Sequence, residues 1–399
     1  MTRVAIAACP DYSDEKVEAA VSALFASLSG EIRVLPGERL LLKPNFLSAA
    51  PPERAATTHP AVFRAVALAL AAKGAVLSYG DSPGIESPAR VARVSGVGAV
   101  ADRLGIPLAD FDAGEEVSFP EGLALTRFRI ARSVLEADGI VDLPKFKTHA
   151  LASFTGAVKN LFGCVPGTFK SKEHVRFPNA ELFSAMCVDL ARFLRPRLCV
   201  MDAVVGMEGN GPRNGTPRAI GLLFASSDPV ALDAVAAAVA GLSPEQVPTT
   251  RIGGKCGLGE SDLDRIEAVY FDDPADRAAA PWTAPASQVV ARLRIPDFKL
   301  ADAAHSTVNH IVGGLGGRGL RRLVLNRPTI DPHRCTKCGI CVEACPLEPK
   351  ALEAEVRRSV PDYDYTQCIR CFCCQEVCPS GAIDVRPAPL GFLIGRTAR

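Results

Sequence analysis

Two similar cysteine runs near the carboxyl end constrain this chain more than any other feature. From Cys335 the sequence reads CTKCGICVEACP, and from Cys368 it reads CIRCFCCQEVCP. Each run has the spacing C-x2-C-x2-C-x3-C-P, which is typical of bacterial ferredoxin loops that hold 4Fe–4S clusters. A single C-x2-C pair is compatible with zinc, with a redox dithiol or with chance, whereas two complete runs are far more specific. The spacing therefore predicts an iron–sulfur module that handles electrons.

In such modules the first three cysteines of a run bind one cluster, and the fourth, which precedes proline, binds the neighbouring cluster. The chain is thus predicted to bind two 4Fe–4S clusters as cofactors. One is assigned to Cys335, Cys338, Cys341 and Cys378, and the other to Cys345, Cys368, Cys371 and Cys374. Structural zinc sites are the alternative, but they usually pair C-x2-C motifs at longer separation and need no fourth cysteine before proline. Cys373 is out of register and is expected to pack against a cluster.

Composition limits the class of protein. Nine of the fourteen cysteines follow residue 334, which disfavours a secreted framework whose disulfides would spread through the fold. The net charge of +1 gives no overall field that favours nucleic acid or membrane. No stretch approaches the roughly 18 apolar residues of a membrane span, and the short apolar start before Asp11 is not typical of a signal peptide. We therefore expect a cytoplasmic protein with no nucleic-acid partner.

The order of sequence patterns predicts three parts. Residues 1–271 alternate strand-like and helix-like segments, which predicts an α/β domain with a largely parallel, doubly wound sheet. Residues 272–330 are rich in Pro, Ala and Gly and are expected to be a connector. Its segment HIVGGLGGRGLRRLVLNR is compatible with a partner helix or membrane-surface helix, but paired glycines weaken helices and favour a packed linker. Residues 331–399 are expected to form a small α+β domain like a bacterial ferredoxin.

Polar residues recur just past the ends of the predicted strands. Lys43 and Asn45 follow one strand and Asp81 follows another, and further clusters follow strands at residues 145–149 and 202–210. Ligands of open parallel sheets bind at the carboxyl edge of the strands. The sequence therefore predicts a ligand site at this edge.

The densest cluster lies in DLPKFKTHALASFTGAVKNLFGCVPG, residues 142–167. Lys145, Lys147, His149 and Lys159 stand there among phenylalanines and leucines, and are predicted to be catalytic. A cationic patch with apolar walls suits an anionic small molecule, and a buried lysine or His149 could supply a proton. The alternative is that the lysines are solvated, as most lysines are, and that the histidine belongs to the core or to a loop.

A second candidate is the glycine-rich DAVVGMEGNGP, residues 202–212, in which Glu208 and Asn210 offer polar ends beside exposed backbone N–H groups. It fits neither G-x-G-x-x-G nor a phosphate-binding P-loop, so no nucleotide is predicted. Asp81 and Asp202 could share a divalent metal, but two carboxylates are too few to predict one. His174, in FKSKEHVRFP, is a weaker candidate, for which a surface position is the alternative. Ligand- or cofactor-binding positions are predicted at Lys43, Asn45, Asp81, Asn160, Glu208 and Asn210.

Five pieces of the sequence carry a resemblance to a known family: KPNFLSAAPPERAATTHP, GDSP, LPKFKTHALASFTGAVKNLFGCVPG, DAVVGMEGNGP and SSDPVALDAVAA. At these residues the chain resembles the family catalogued as domain of unknown function 362, many of whose members carry a carboxy-terminal ferredoxin module. Members are described as iron–sulfur proteins without an established general activity. The resemblance implies functional positions at Lys43, Asn45, His59, Lys145, Lys147, His149, Lys159 and Asn160.

These observations predict an iron–sulfur oxidoreductase. An external donor protein would reduce the two clusters, and the electrons would pass to an anionic small molecule at the sheet edge. Two other functions stay open: an electron-carrier or assembly subunit without catalysis, and a non-redox ligase or transferase with structural clusters. A concave pocket that held Lys145, Lys147 and His149 opposite a cluster would favour the enzyme, whereas a flat surface would favour the carrier.

Overall fold

The structure is a computed structural model that describes residues 2–177, 179–276, 278–300, 326–354 and 358–386, without the side chains at 168, 171 and 172. The glycine-rich segment at 310–327, for which a packed linker is predicted, lies outside the described residues except for its last two positions.

The described strands, in chain order, are β1 (Thr2–Ala8), β2 (Arg39–Pro44), β3 (Val76–Tyr79), β4 (Gly114–Ser118), β5 (Arg127–Ala131), β6 (Gly139–Leu143), β7 (Lys145–His149), β8 (Ser153–Thr155), β9 (Leu198–Glu208), β10 (Thr216–Ser226), β11 (Ile266–Phe271), β12 (Trp282–Pro285), β13 (Arg327–Ile330), β14 (Leu352–Glu353), β15 (Asp362–Tyr363) and β16 (Ile383–Arg386).

The described α-helices are α1 (Asp14–Ser27), α2 (Pro60–Ala71), α3 (Pro88–Val94), α4 (Val97–Leu104), α5 (Arg132–Glu136), α6 (Ala157–Asn160), α7 (Gly167–Arg176), α8 (Ala180–Leu194), α9 (Pro229–Val239), α10 (Pro248–Lys255), α11 (Ala286–Leu293), α12 (Ile340–Glu343) and α13 (Cys373–Val377).

A ten-stranded mixed sheet forms the larger unit. Its strands run in the order β12-β11-β1-β10-β9-β6-β2-β3, and β7 pairs with both β8 and β9 beside this path. The pairs β2–β3, β2–β6, β6–β9 and β1–β11 are parallel, whereas β10 runs antiparallel to both its neighbours and β12 runs antiparallel to β11. The predicted α/β class with a largely parallel sheet is therefore confirmed.

Alternate residues of the strands supply the two faces of the sheet. In β1, Ala5 and Ala7 pack with α1 and α2 on one face, while Val4 and Ile6 pack with α9 and α11 on the other. Toward β2 and β6 the second face is covered by α8. Because both faces are covered, the central strands are continuous apolar runs rather than alternating ones.

The sheet extends beyond the predicted domain end at residue 271. Trp282 of β12 lies opposite Tyr270 of β11, and α11 buries Val289 and Val290 against the same core. The beginning of the predicted connector thus belongs to the sheet unit. The strand is only four residues long and contains Pro285, so its sequence carries little strand signal.

The cysteine-rich part forms a small unit of two-stranded sheets and short helices. β13 pairs with β16 and β14 pairs with β15, both antiparallel, and α12 packs near α13. Each of these helices begins inside one of the cysteine runs. This unit, residues 326–354 and 358–386, is called the cluster module below.

Candidate active site

The eight predicted cluster ligands gather around two hollows of the cluster module. One hollow, called the inner hollow, is lined by Cys345, Cys368, Cys371 and Cys374. The second, called the outer hollow, is lined by Cys335, Cys338, Cys341 and Cys378. Each hollow therefore receives three cysteines of one run and the last cysteine of the other, which are the two sets that the spacing predicts.

The two cysteine loops bend in the same way. Lys337 and Gly339 have positive φ angles of 57° and 78°, and Arg370 and Phe372, at the equivalent positions of the second run, both have φ of 61°. A left-handed residue on each side of the second cysteine curls the loop. Non-glycine residues rarely adopt this conformation, so the second loop keeps its shape at some conformational cost.

Iron–sulfur clusters fit these hollows. The donors are four thiols with apolar neighbours such as Leu352 and Ile383, a donor set that suits iron–sulfur centres. The sulfurs also accept hydrogen bonds, from the Tyr363 hydroxyl to Cys374 Sγ at 3.2 Å and from Ala382 N to Cys378 Sγ at 3.3 Å. Such bonds are among the factors that set cluster potentials.

A larger cavity of about 310 Å³ lies between the α/β unit and the cluster module and is called the interface cavity. The volume is in the range of small-molecule sites. The cluster module contributes Cys345, which also lines the inner hollow, and Cys373 and Glu376. The α/β side of the wall includes Asn45, Asp81, Lys159, Asn160, Lys170 and His174.

Lys159 reaches the cavity from the short helix α6. Asp233, on the buried helix α9, accepts hydrogen bonds from Ala157 N at 2.6 Å and Val158 N at 3.1 Å, which holds the beginning of α6. A Cβ atom at Gly156 would lie 1.9 Å from Asp233 Oδ1, so only glycine permits this approach. Within the described parts of the chain, no carboxylate lies within 4.0 Å of the Lys159 ammonium, which is 5.8 Å from the Phe183 ring centre.

Lys170 and His174 of α7 line the same wall. Lys170 Nζ donates to the Ser82 carbonyl and lies 5.7 Å from the Phe162 ring centre, and burial lowers its pKa to about 8. His174 is 6% exposed and stacks on Phe183 at 4.7 Å. Burial lowers the pKa of His174 to about 4, so the ring is neutral at physiological pH. The alternative of a surface position for His174 is therefore wrong.

Lys43 and Asp81 form a buried ion pair at the cavity wall. Lys43 Nζ lies 3.1 Å from Asp81 Oδ1, and Asp81 Oδ2 accepts from Phe46 N at 2.7 Å. A Cβ at Gly163 would lie 1.7 Å from Asp81 Oδ1, so this glycine allows the 3-10 turn after α6 to pass over the pair. Asp81 is thus neutralised by a lysine, and Asp202 by another, rather than both serving one metal ion.

A chain of side-chain hydrogen bonds connects Lys147 to the core. Lys147 Nζ donates to Asn45 Oδ1 at 2.9 Å, Asn45 Nδ2 donates to Asn160 Oδ1 at 2.8 Å, and Asn160 Nδ2 donates to Asp142 Oδ1 at 2.7 Å. Burial lowers the pKa of Lys147 well below its ordinary value and raises the pKa of Asp142 to about 7. Lys147 is fully buried and does not line the cavity itself. Asn45 and Asn160, which are connected to it by these hydrogen bonds, do line the cavity.

Lys145 belongs to a separate buried group. Its Nζ lies 2.7 Å from Asp202 Oδ2 and donates to the Tyr12 hydroxyl at 2.8 Å. Tyr12 also donates to Asp202 Oδ1 at 2.8 Å and stacks on the His59 ring at 3.5 Å. None of these four residues lines the interface cavity. The lysines predicted to act together therefore lie in different environments.

His149 contacts the cluster module. Its Nδ1 accepts from Leu151 N at 3.0 Å and Ala152 N at 3.2 Å, so the neutral ring carries its hydrogen on Nε2, 3.0 Å from Glu376 Oε1. Burial lowers the pKa of His149 to about 4, assisted by the charge of Lys159. Burial opposes ionisation of Glu376, but His149 and Lys159 hold its pKa at about 2. His149 thus contacts a carboxylate on the far wall of the cavity at ion-pair distance, although the angles of this contact are not those of a hydrogen bond.

The glycine-rich loop after β9 holds the cluster module. Gln375 Nε2 donates to Asn210 Oδ1 at 2.9 Å, and Arg213 donates to the Val377 carbonyl at 2.9 Å. Asn214 donates to the carbonyls of Gln375 and Cys378. Glu208 accepts from Lys299 N at 3.1 Å instead. The glycine content predicts ligand contacts for Asn210, but in the structure Asn210 contacts Gln375 of the cluster module instead.

Comparison with known proteins identifies the larger unit. The profile of the domain of unknown function DUF362 matches residues 40–238, and the profile of a 4Fe-4S dicluster domain matches residues 327–379. A thylakoid-associated protein of Synechocystis sp. is 34% identical over 284 residues, which cover 69% of this chain and 84% of the relative. The chain belongs to the DUF362 family. It carries a 4Fe–4S ferredoxin-type domain at its carboxyl side.

Two solved structures are more distant from this DUF362 protein. The lactate racemase apoprotein of Thermoanaerobacterium thermosaccharolyticum has a TM-score of 0.38 at 12% identity, over 56% of this chain and 54% of that one. A structural-genomics protein of Thermotoga maritima has a TM-score of 0.31 at 12% identity, over 52% and 54%. This chain thus spans about half the length of each.

Of the four residues predicted to be catalytic in this DUF362 protein, Lys159 lines the interface cavity, while Lys145, Lys147 and His149 are fully buried behind it. Of the predicted binding residues, Asn45, Asp81 and Asn160 line the cavity, and Lys43 pairs with one of them.

Sequence reasoning missed several cavity residues. Lys170 and His174 lie in FKSKEHVR, a polar helix whose charges are typical of a solvated surface. Glu376 lies inside the second cysteine run, where the cysteine spacing predicts cluster ligands and says nothing about the residues between them. The sequence signal for these residues is the position of KSKEH shortly after the 142–167 segment, since short connections keep neighbouring elements close.

Proposed function

We propose that this DUF362 protein is an iron–sulfur oxidoreductase that reduces a small anionic molecule bound in the interface cavity. One observation carries the proposal: Cys345 lines both the inner hollow and the cavity. A ligand in the cavity would therefore lie against a protein ligand of the inner cluster. When bound, the two proposed clusters would supply electrons one at a time.

The residues of the α/β wall support an anionic ligand. Among the described residues no carboxylate lies within 4.0 Å of the Lys159 ammonium, although its charge also acts on Glu376 of the same cavity, so a carboxylate or phosphate of the ligand would be its direct partner. Phe46, Phe162 and Ile85 add apolar surface that excludes water from such an ion pair. Asn45 and Asn160, held by Lys147 and Asp142, would orient the polar groups of the ligand.

The two hollows differ in their access to solvent, which suggests a direction for electron flow. Cys338 of the outer hollow is exposed, whereas the inner hollow adjoins the cavity through Cys345. An external donor protein would approach the outer side, and the ligand would be reduced on the inner side. A pure carrier needs no cavity with an unpaired lysine, and purely structural clusters need no ligand cysteine on a cavity wall.

The test is anaerobic purification of the full chain, followed by iron and sulfide analysis, EPR of the reduced protein and mass spectrometry of any retained small molecule. Two clusters require about eight irons per chain. Replacement Lys159→Gln should abolish retention of the small molecule and leave the EPR signals unchanged. Lys73→Gln, at an exposed position, is the matched control.

Retention that is equal in Lys159→Gln, Lys73→Gln and the unchanged protein would refute a ligand role for the cavity lysine. A reduced protein that transfers electrons to other proteins but shows no retained molecule and no change on Lys159→Gln would identify an electron carrier.

The location in the cell is proposed to be the cytoplasm. Within the described ranges, no helix has the length and apolar character needed to cross a bilayer. The Synechocystis relative is named thylakoid-associated, so peripheral attachment to a membrane is the competing outcome. Fractionation of cells expressing the tagged full chain, with and without a high-salt wash, distinguishes the two.

A further inference from the structure

We propose that Lys170 binds the ligand covalently: its amine condenses with the carbonyl carbon of a small oxo acid whose carboxylate pairs with Lys159. This inference rests on the proposed function of the interface cavity and deepens it by naming the class of substrate.

The position of Lys170 suits a nucleophilic amine. The residue lines the interface cavity, and its Nζ is held by the Ser82 carbonyl and lies 5.7 Å from the Phe162 ring centre. In the described ranges, no carboxylate lies within ion-pair distance of this amine, although Asp81 stands nearby and is already paired with Lys43. A carbonyl contact orients the amine and leaves its lone pair available once the proton has left.

The electrostatic surroundings favour the neutral amine. Burial lowers the pKa of Lys170 to about 8. The negative charge of Asp81 opposes this shift, while the positive charges of Lys43 and Lys159 act in the same direction as burial. Lysines that are desolvated or placed beside another cation are the ones that form Schiff bases with carbonyl substrates. Relative to an ordinary lysine pKa of about 10.4, the neutral fraction at neutral pH is larger by on the order of a hundredfold.

The second lysine determines which carbonyl compound fits. Lys159 and Lys170 both line the cavity, and the charge of Lys159 acts on Lys170, so a ligand bound to one amine lies near the other. In the described part of the chain no carboxylate lies within 4.0 Å of Lys159, although its charge also acts on Glu376 of the same cavity, and an acid group on the ligand would be its direct partner. The cavity of about 310 Å³ admits a small molecule. An oxo acid satisfies both amines, whereas a simple aldehyde satisfies one.

The chemistry balances without any further reactant. The lone pair of the neutral amine forms a carbon–nitrogen bond with the carbonyl carbon. The carbonyl oxygen leaves as water with the two hydrogens of the amine, and the imine nitrogen then takes up a proton. No electron is gained or lost in this step. The protonated imine is a stronger electron acceptor than the ketone, which suits a cavity beside the inner hollow.

The test traps the imine in the full-length protein with its clusters in place. The protein is incubated anaerobically with pyruvate and cyanoborohydride, digested, and searched by mass spectrometry for the reduced adduct on each lysine. The expected result is modification at Lys170 at least about tenfold above that at exposed Lys73, as the larger neutral fraction requires. Lys170→Arg should lose the adduct and keep its iron content, and Lys159→Gln should reduce the adduct at Lys170.

The outcomes separate this inference from the proposed function. Adduct spread evenly over exposed lysines would overturn the inference. If Lys170 stays unmodified while pyruvate raises the melting temperature of the unchanged protein but not of Lys159→Gln, the imine is refuted and an anion site in the cavity survives. If pyruvate neither modifies Lys170 nor shifts the melting temperature, the oxo-acid class is refuted, and retained-ligand analysis alone decides the proposed function.

Discussion

Lys145 and Lys159 show how two lysines of one segment can have different roles. Lys145 is 1% exposed and paired with Asp202, while Lys159 is half-buried and faces the interface cavity. A lysine buried in an ion pair contributes to folding, because its partner would otherwise be a buried, unpaired charge. A lysine that lacks such a partner is available to a ligand.

Replacement Lys145→Ala should therefore destabilise the protein rather than remove ligand binding selectively. Loss of the ammonium leaves Asp202 buried and unpaired, which typically costs about 3–5 kcal/mol of unfolding free energy. Chemical unfolding followed by circular dichroism measures the change. Lys73→Ala, at an exposed position, should change stability by no more than about 0.5 kcal/mol. Equal stabilities of the two variants would contradict the assignment of Lys145 to folding.

The pH dependence of trapping at Lys170 follows from its lowered pKa of about 8. The nucleophile is the neutral amine, which is the minor form below that pH and the major form above it. The initial rate of reductive trapping by pyruvate should rise about tenfold per pH unit below pH 8 and level off above it. Quantitative mass spectrometry of the Lys170 peptide between neutral and alkaline pH provides the profile. A profile that keeps rising toward pH 10, the ordinary lysine range, would show an unperturbed amine.

Helix α6 depends on a residue far away in the sequence. Asp233 of α9 accepts from two backbone N–H groups of α6, and through them it positions Lys159. Asp228 makes the same kind of contact at the beginning of α9 itself, with Val230 N at 2.8 Å and Ala231 N at 3.0 Å. The two aspartates thus make equivalent capping contacts on different helices: Asp233 caps α6, and Asp228 caps α9.

Asp233→Ala and Asp228→Ala should both lower stability by about 1–2 kcal/mol, since each removes a capping carboxylate. Only Asp233→Ala should also weaken the Lys159-dependent effect of pyruvate on the melting temperature, because α6 carries that lysine. Thermal unfolding with and without pyruvate measures both effects. The same ligand response in both variants would show that α6 keeps its position without Asp233.

The loop after β9 holds the cluster module in position, as Asp233 holds α6. Arg213 donates to the Val377 carbonyl at the end of α13, beside Glu376 on the cavity wall. Arg213→Ala removes a charge-assisted hydrogen bond, worth about 1.5–3 kcal/mol, and should increase hydrogen exchange of the α13 amides. Exchange followed by mass spectrometry is the measurement, and Arg103→Ala, at an exposed position of α4, is the control. Unchanged exchange in Arg213→Ala would mean that the other contacts suffice for docking.

At the scale of the whole molecule, two independent units complete one cavity. The α/β unit supplies the lysines, and the cluster module supplies Cys345 and Glu376. The walls of the cavity are therefore shared between the two units.

Cysteine replacements should separate the two hollows. Cys345→Ser and Cys338→Ser should each reduce the iron content from about eight toward about four per chain, since each removes a ligand of one proposed four-iron cluster. Of these two cysteines, only Cys345 lines the cavity. Its replacement, unlike that of Cys338, should therefore also change the effect that a bound ligand has on the EPR spectrum. Cys256→Ser, outside both hollows, should leave iron and EPR unchanged. Full iron content in Cys345→Ser would refute its assignment to the inner cluster.

By itself the sequence determined the α/β class, the family and the two cysteine sets. These follow from short-range spacing: strand and helix periodicity within ten or fifteen residues, and cysteines that lie on one loop whatever surrounds it. The strands β1 and β11 were likewise readable, since each contains an apolar run, VAIAA in β1 and AVYF in β11.

Only the tertiary structure decided which polar residues line the interface cavity. Lys145 meets Asp202, Lys147 meets Asn45, and His149 meets Glu376, and each partner comes from a distant segment or from the other unit. A buried charge must be paired wherever the fold brings a partner, and no local pattern records that partner. Lys170 and His174, on a helix with the composition of a surface helix, line the interface cavity together with residues of the cluster module, and no local pattern indicates this either.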